Sequence, residues 1–189
     1  MKRTRALGVA VVTALIVGFS AAAAAAAGPL VRLRIENNDR IQEVFDYTIK
    51  HSLSFQDLVT TLELGDHAVY ITEGRCPRVD NHACLQLTPG QPKATLIVRI
   101  DPRQPIMSVA ALLAHELYHA AEILREPDVD DAASLHQLYE RIGYRTCAGQ
   151  SDDCWETRAA KAFQELVWRQ LSSQARDYPS TADLPGPRR

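Results

Sequence analysis

Two histidines and a glutamate stand close together in the segment from Leu112 to Glu122, which reads LLAHELYHAAE. His115, Glu116 and His119 form an H-E-x-x-H pattern. On a helix, residues four apart lie on one face about one turn from each other. Two imidazoles placed in this way can bind one zinc ion, and the glutamate between them can act as general base toward a zinc-bound water. The spacing therefore predicts a metal centre with hydrolytic chemistry.

The predicted motif helix has two different faces when its residues are placed about 100° apart. An apolar stripe that can anchor the helix in a core comprises Leu113, Leu117, Ala120 and Leu124. His115, His119 and Glu122 lie on the opposite side. An ordinary core helix would carry aliphatic residues there, so this pattern favours a metal site. The alternative is a solvated face that happens to hold two histidines.

A catalytic zinc needs three protein ligands and one open position. Glu122 shares the histidine face but lies about 10 Å along the helix axis from His115. We therefore expect it to accept a hydrogen bond from a ligand histidine, or else to be a solvated carboxylate. Glu156 is the better third ligand, because it shares a predicted helical face with apolar residues, where a carboxylate is costly unless paired or metal-bound. The alternative is a helix cap, in which Glu156 folds back in a capping box that begins at Asp153.

Hydrophobic periodicity and turn residues predict the elements that position these side chains. Apolar runs predict strands at 30–35, 68–72, 83–87 and 94–100. Helical spacing predicts helices at 41–49, 54–62, 108–124, 132–142 and 155–175, with Ser108 as a cap of the motif helix and Gly143 closing the next. The predicted fold class is α+β, a single domain in which a small antiparallel or mixed sheet is followed by three helices, with the motif helix central.

The first residues of the chain predict export. Lys2, Arg3 and Arg5 precede an apolar run that is followed by small residues ending at Ala27. This arrangement is typical of a signal peptide, predicted at residues 1–27. The alternative is an uncleaved membrane anchor, since the apolar stretch is nearly long enough to span a bilayer. We expect cleavage, no stable membrane span afterwards, and a periplasmic or extracellular location.

The remaining chain suits one domain with a single core at residues 28–177, followed by a polar, proline-rich tail at 178–189 that we expect to be disordered. Loss of residues 1–27 removes three positive charges, so the formal net charge changes from −2 to −5. No basic patch interleaved with aromatic residues is visible. Nucleic acid is therefore excluded as a partner.

Four cysteines lie after the predicted cleavage site, and an exported chain is found where disulfides persist. Each pair is close in sequence, so we expect the bridges Cys76–Cys84 and Cys147–Cys154, although four cysteines allow three connectivities. A zinc site built from the cysteines is the alternative. Neither pair has the C-x-x-C spacing that is typical of such sites.

Over about residues 94–170 the chain resembles the gluzincin branch of the HExxH zinc metallopeptidases, through His115-Glu116-x-x-His119 on one helix and Glu156 on a later one. The resemblance implies a zincin-like domain in which His115, His119 and Glu156 hold Zn²⁺ and Glu116 is the general base. It also implies that a strand such as Ala94–Ile100 lines the substrate cleft as an edge. The core AHELxHAxE and the later WETRAA are similar to a group of small exported bacterial proteins of unassigned function.

The chain departs from the gluzincin pattern at two places. Gluzincins often place an acidic residue one turn after the third ligand, where this chain has Ala160. Support for a ligand histidine is therefore expected from Glu122 or Asp152. The family also uses a downstream histidine, tyrosine or arginine to stabilise the oxyanion. The candidates for this role are His136, Tyr139, Tyr144 and Arg158, and the remaining histidines, His51, His67 and His82, are expected to be surface residues.

These features predict an exported zinc-dependent hydrolase, a metallopeptidase acting on a peptide or protein substrate. Two alternatives stay open at this point. One is a non-catalytic metal-binding envelope protein that uses the same ligands. The other is an envelope interaction domain without metal, in which the motif is a coincidence.

Overall fold

A computed structural model describes residues 32–36, 38–77, 81–146 and 155–174. All of these lie in one compact unit of the chain, Val31–Arg189. Five sequence predictions lie outside the described residues: the signal peptide, the tail at 178–189, the bridge Cys147–Cys154, the supporting role of Asp152 and the capping role of Asp153.

The framework is a four-stranded mixed sheet. Its strands are β1 (Leu33–Ile35), β2 (Ala68–Glu73), β3 (Ala83–Thr88) and β4 (Thr95–Ile100), in the order β1-β2-β4-β3. The strands β1, β2 and β4 run parallel, and β3 runs antiparallel to β4. In β4, Leu96 and Val98 are buried whereas Ile97 is partly exposed, so one face of the sheet is directed at the core.

Five helices among the described residues complete an α+β fold. The helices α1 (Asp39–His51) and α2 (Leu53–Glu63) connect β1 to β2, and α3 (Ile106–Leu124), α4 (Ala132–Ile142) and α5 (Arg158–Gln174) follow the sheet. A two-stranded antiparallel ribbon of β5 (Tyr144–Arg145) and β6 (Trp155–Glu156) lies between α4 and α5 in the chain. The prediction of a small mixed sheet followed by three helices is confirmed, and the ribbon is the element that sequence periodicity missed.

The motif helix α3 is the central helix and packs against α1, α2, α5, β3 and β4. It is buried on both of its faces, not only along the apolar stripe. The helix begins at Ile106 after Pro105, without a side-chain cap, so the prediction that Ser108 caps it is wrong. The fixed backbone angle of Pro105 suits the extended residue before a helix, and its missing N–H removes one group that would need a partner.

The edge strands of the sheet are β1 and β3, and β4 lies between β2 and β3. The expectation that Ala94–Ile100 forms an edge is therefore wrong. A strand with neighbours on both sides is shielded from water and takes a strongly apolar sequence, so the strong strand pattern of this segment indicates an interior position. The bridge Cys76–Cys84 is confirmed, with its Cα atoms 5.9 Å apart, and it ties β3 to the segment that follows β2.

His67 also differs from the expectation. Its side chain is fully buried, and its Nδ1 lies 2.9 Å from an Asp66 carboxylate oxygen. The residue continues the alternation of the buried Val69 and Ile71, so its ring is directed at the same side of the sheet as theirs. His51 and His82 are at least partly exposed, as expected.

Gly143 allows a close approach between the end of α4 and the ribbon. A Cβ atom at this position would lie 2.8 Å from the Tyr139 carbonyl oxygen and 2.9 Å from that of Glu156. We expect Gly143→Ala to lower the free energy of unfolding by about 1–3 kcal/mol, because both contacts are with backbone atoms that have little room to move. Urea denaturation measures this change. Gly74→Ala is the matched control, since its Cβ atom would meet its nearest neighbour at an ordinary 3.4 Å. Equal stability of the two variants would contradict the close approach.

Candidate metal centre

Two imidazoles of α3 face the same point. His115 and His119 lie one helical turn apart, and their Nε2 atoms are 3.2 Å from each other. Only 9% of His115 and 6% of His119 is exposed. The helical spacing thus produces a pair of buried nitrogen atoms close enough to bind one ion.

Glu156 approaches this pair from the β6 strand. Its Oε2 lies 3.3 Å from Nε2 of His115, and its Oε1 lies 3.4 Å from Nε2 of His119. The three side chains form a group that could hold a metal ion. Tetrahedral ligands with bonds of about 2.0–2.1 Å are separated by about 3.3–3.4 Å. The two Nε2 atoms are separated by close to this distance, and each of them lies at this distance from a different oxygen of Glu156.

Glu156 does not open the last helix, because α5 begins at Arg158. The capping residue is Thr157, whose Oγ1 accepts a hydrogen bond from the Ala160 N–H at 3.0 Å. The Glu156 carboxylate is thereby available to the imidazoles, and its Oε1 also accepts a hydrogen bond of 2.7 Å from the Thr157 N–H. The structure thus assigns the cap to Thr157 and directs Glu156 at the two histidines.

Glu122 supports the second histidine from the next turn of α3. Its Oε2 lies 2.8 Å from Nδ1 of His119, and its Oε1 accepts a hydrogen bond of 2.7 Å from the Thr157 hydroxyl. Only 7% of Glu122 is exposed, so it is not a solvated carboxylate. His115 has no equivalent support, since its buried Nδ1 lacks a hydrogen-bond partner among the described residues. Ala160, at the position where gluzincins often carry an acidic residue, is fully buried.

Burial and charge set the protonation of the centre. Burial chiefly raises the pKa of Glu116, and the Glu156 carboxylate adds to the rise, whereas the two imidazoles and the Leu85 backbone oppose it. Burial alone would lower the pKa of His119, but hydrogen bonds to Glu122 and Glu156 outweigh it and raise the pKa to about 9. The reciprocal hydrogen bonds from the imidazoles outweigh burial at Glu156 and hold its pKa well below its usual range.

Tyr139 is the oxyanion candidate that makes contact with the centre. Its ring meets that of His119 edge to face, with 5.6 Å between centroids. Burial chiefly raises its pKa, and the carboxylates of Glu122, Glu116 and Glu156 raise it further. Of the other candidates, His136 packs its ring against Trp155, whereas Tyr144 and Arg158 are exposed.

The structure brings together the side chains that the sequence singled out, four of them on α3 and one on β6. These are His115, Glu116, His119, Glu122 and Glu156. Sequence reasoning missed Thr157, although a hydroxyl residue directly before a helical pattern is a common N-cap. Once the start of α5 is set at Arg158, Thr157 becomes the expected capping residue.

Comparisons with protein-family models, with curated proteins and with solved structures found no match to this chain. Function must therefore be inferred from the site itself. None of the helices within the described ranges is both long enough and apolar enough to cross a membrane.

Metal binding to the metal-free protein is expected to release a proton. His119, with a pKa of about 9, carries a proton at pH 7, and a ligand imidazole must give up its proton at the coordinating nitrogen. The apparent association constant for zinc should therefore rise about tenfold per pH unit below pH 9 and level off above it. Calorimetric titration with Zn²⁺ at pH 7 in two buffers of different ionisation enthalpy measures the number of protons released. We expect close to one, and release of none would contradict the protonation of His119.

Proposed function

We propose that the protein is an exported zinc-dependent peptidase with a gluzincin-like centre in a zincin-like domain. The observation that carries the proposal is the convergence of His115, His119 and Glu156. The two Nε2 atoms are 3.2 Å apart, and each lies 3.3 or 3.4 Å from one of the two carboxylate oxygens. Glu116, which belongs to the same turn of α3, is a further buried carboxylate beside these ligands.

Zinc is the metal that this donor set favours. Two imidazoles and one carboxylate are the protein ligands of several hydrolytic zinc sites, in which three ligands leave a position open. Zinc, when bound, supplies Lewis acidity toward water and toward a carbonyl oxygen. The bridge Cys76–Cys84 is compatible with the oxidising environment of an exported protein.

Glu116 is proposed as the general base. Its carboxylate interacts with both imidazoles and with Glu156, so it lies beside the three side chains that could hold the metal. Burial raises its pKa from the ordinary value, and a general base transfers protons best when its pKa lies near the working pH. Glu116 would take a proton from the attacking water and pass it to the leaving amine.

Tyr139 is proposed to stabilise the oxyanion. A tyrosine hydroxyl keeps its proton at physiological pH, and the raised pKa of Tyr139 is consistent with this, so the hydroxyl can donate a hydrogen bond. A preorganised donor in a site shielded from water is effective at an oxygen on which negative charge develops. The ring contact with His119 places Tyr139 beside the centre.

The edge strand β3 supports a polypeptide as the substrate. The Asp101 N–H donates to the His82 carbonyl, and in an antiparallel pair the bonded residues alternate. Ala83, Leu85 and Leu87 therefore direct their backbone N–H and C=O groups away from β4, toward the outer side of β3, where no strand of the described residues pairs with it. An extended peptide can add to such an edge as a further strand. The Leu85 backbone N–H already donates to Glu116, so it is not offered to a peptide, but a peptide on this edge would pass beside the proposed base.

The substitution Glu116→Gln tests the proposed reaction. We expect bound zinc to be retained and cleavage of an unfolded protein substrate to fall by at least about 10²-fold, because the amide cannot take up a proton. Mass spectrometry of the products, with and without chelator, measures cleavage. Glu43→Gln is the matched control, since Glu43 is an exposed carboxylate on α1.

Full activity of Glu116→Gln, or cleavage by the wild type that a chelator does not reduce, would contradict the proposed reaction. Zinc binding by a wild type that cleaves none of a broad set of peptides would favour a non-catalytic metal-binding protein with the same ligands.

The substitution Tyr139→Phe tests the oxyanion role. We expect kcat to fall by about 10²–10³-fold, with KM and zinc content close to those of the wild type, because the lost hydrogen bond acts on the transition state. Steady-state kinetics on a fluorogenic peptide measures both constants. Tyr144→Phe is the control. It removes the hydroxyl of an exposed tyrosine that the sequence also offered for the oxyanion role, and it should leave kcat unchanged. The reverse pattern would assign the role to Tyr144.

A further inference from the structure

Thr157 hydrogen-bonds to both halves of the metal centre and to the start of α5. Its hydroxyl donates to Glu122 Oε1 at 2.7 Å and accepts from the Ala160 N–H at 3.0 Å. Its backbone N–H donates to Glu156 Oε1 at 2.7 Å. Only 1% of Thr157 is exposed, so water does not compete for these partners.

The direction of the Thr157 hydroxyl is fixed by its partners. A threonine hydroxyl has one proton to donate and lone pairs to accept with. The Ala160 N–H needs an acceptor at the start of α5, so it occupies a lone pair of the oxygen. The single proton is therefore directed at Glu122. This leaves the other carboxylate oxygen of Glu122 to face Nδ1 of His119.

We infer that Thr157 is a positioning residue that couples the histidine helix to the third ligand. Its hydroxyl holds Glu122 in the orientation that supports His119, while its N–H holds the Glu156 carboxylate toward the imidazoles. The start of α5 and the ligands of α3 are thus joined through one buried side chain. The inference rests on the proposed metal centre, and it does not require that the protein be a peptidase.

The substitution Thr157→Val tests this role, because valine keeps the shape of threonine and loses the hydroxyl. We expect the zinc dissociation constant, measured by competition with a chromophoric chelator, to rise about 10–100-fold, the usual effect of removing support from a metal ligand. Thr157→Ser retains the hydroxyl and should bind zinc nearly as tightly as the wild type. Thr48→Val is the matched control, since Thr48 is fully buried and its hydroxyl donates to the Val44 carbonyl within α1.

A double-mutant cycle separates positioning from helix capping. If Thr157 acts through Glu122, Thr157→Val should weaken zinc binding much less in a Glu122→Gln background than in the wild type. Asn38→Ala removes the cap of α1 and serves as a capping control. It should lower thermal stability and leave zinc affinity unchanged.

Unchanged zinc affinity in Thr157→Val, or equal losses in both backgrounds, would overturn the inference. A wild type that binds no zinc would overturn both the metal centre and the inference. A wild type that binds zinc with the expected cycle but has no peptidase activity would overturn the proposed function and leave the role of Thr157 supported.

Discussion

The burial of ionisable side chains along one part of α3 is the constraint on which the centre depends. His115, Glu116, His119 and Glu122 are each exposed by 9% or less. Charges removed from water are costly unless they are paired, hydrogen-bonded or bound to a metal. The structure pairs these groups by placing His119 between the carboxylates of Glu122 and Glu156. A metal ion would take up the negative charge that this arrangement concentrates.

The surrounding helices and strands hold these side chains in position. Helix α3 is held by the sheet and by α1, α2 and α5, which fixes the direction of its two imidazoles. The ribbon of β5 and β6 brings Glu156 to them, and the absence of a side chain at Gly143 lets α4 end close to the ribbon. Because α5 starts two residues after Glu156, packing of α5 against α3 also sets the distance between the ligands. Within the described part of the chain β3 is an edge strand, and its Leu85 backbone contacts Glu116.

Much of this centre could be predicted from local patterns, since the H-E-x-x-H spacing and the apolar periods report on single helices and strands. The start of α5 could not be predicted in this way. The helical spacing of the apolar residues from Ala160 onward also fits Glu156, but in the structure Glu156 pairs with Tyr144 in a ribbon. The order of the strands could not be predicted either, because apolar content reports burial and not which strand is the neighbour. The contact of Tyr139 with His119 could not be predicted either, because it joins two helices and the periodicity within each helix does not report how they pack together.

X-ray absorption at the zinc edge of the purified, zinc-loaded protein tests the central claim most directly, since it reports the atoms around the metal. Ligation by His115, His119 and Glu156 predicts one tightly bound zinc per chain, with a first shell of nitrogen and oxygen at about 2.0–2.2 Å, two imidazoles and no sulfur. The substitution Glu156→Ala should remove one oxygen from this shell. Sulfur scattering at about 2.3 Å, or a shell without imidazole, would contradict the account.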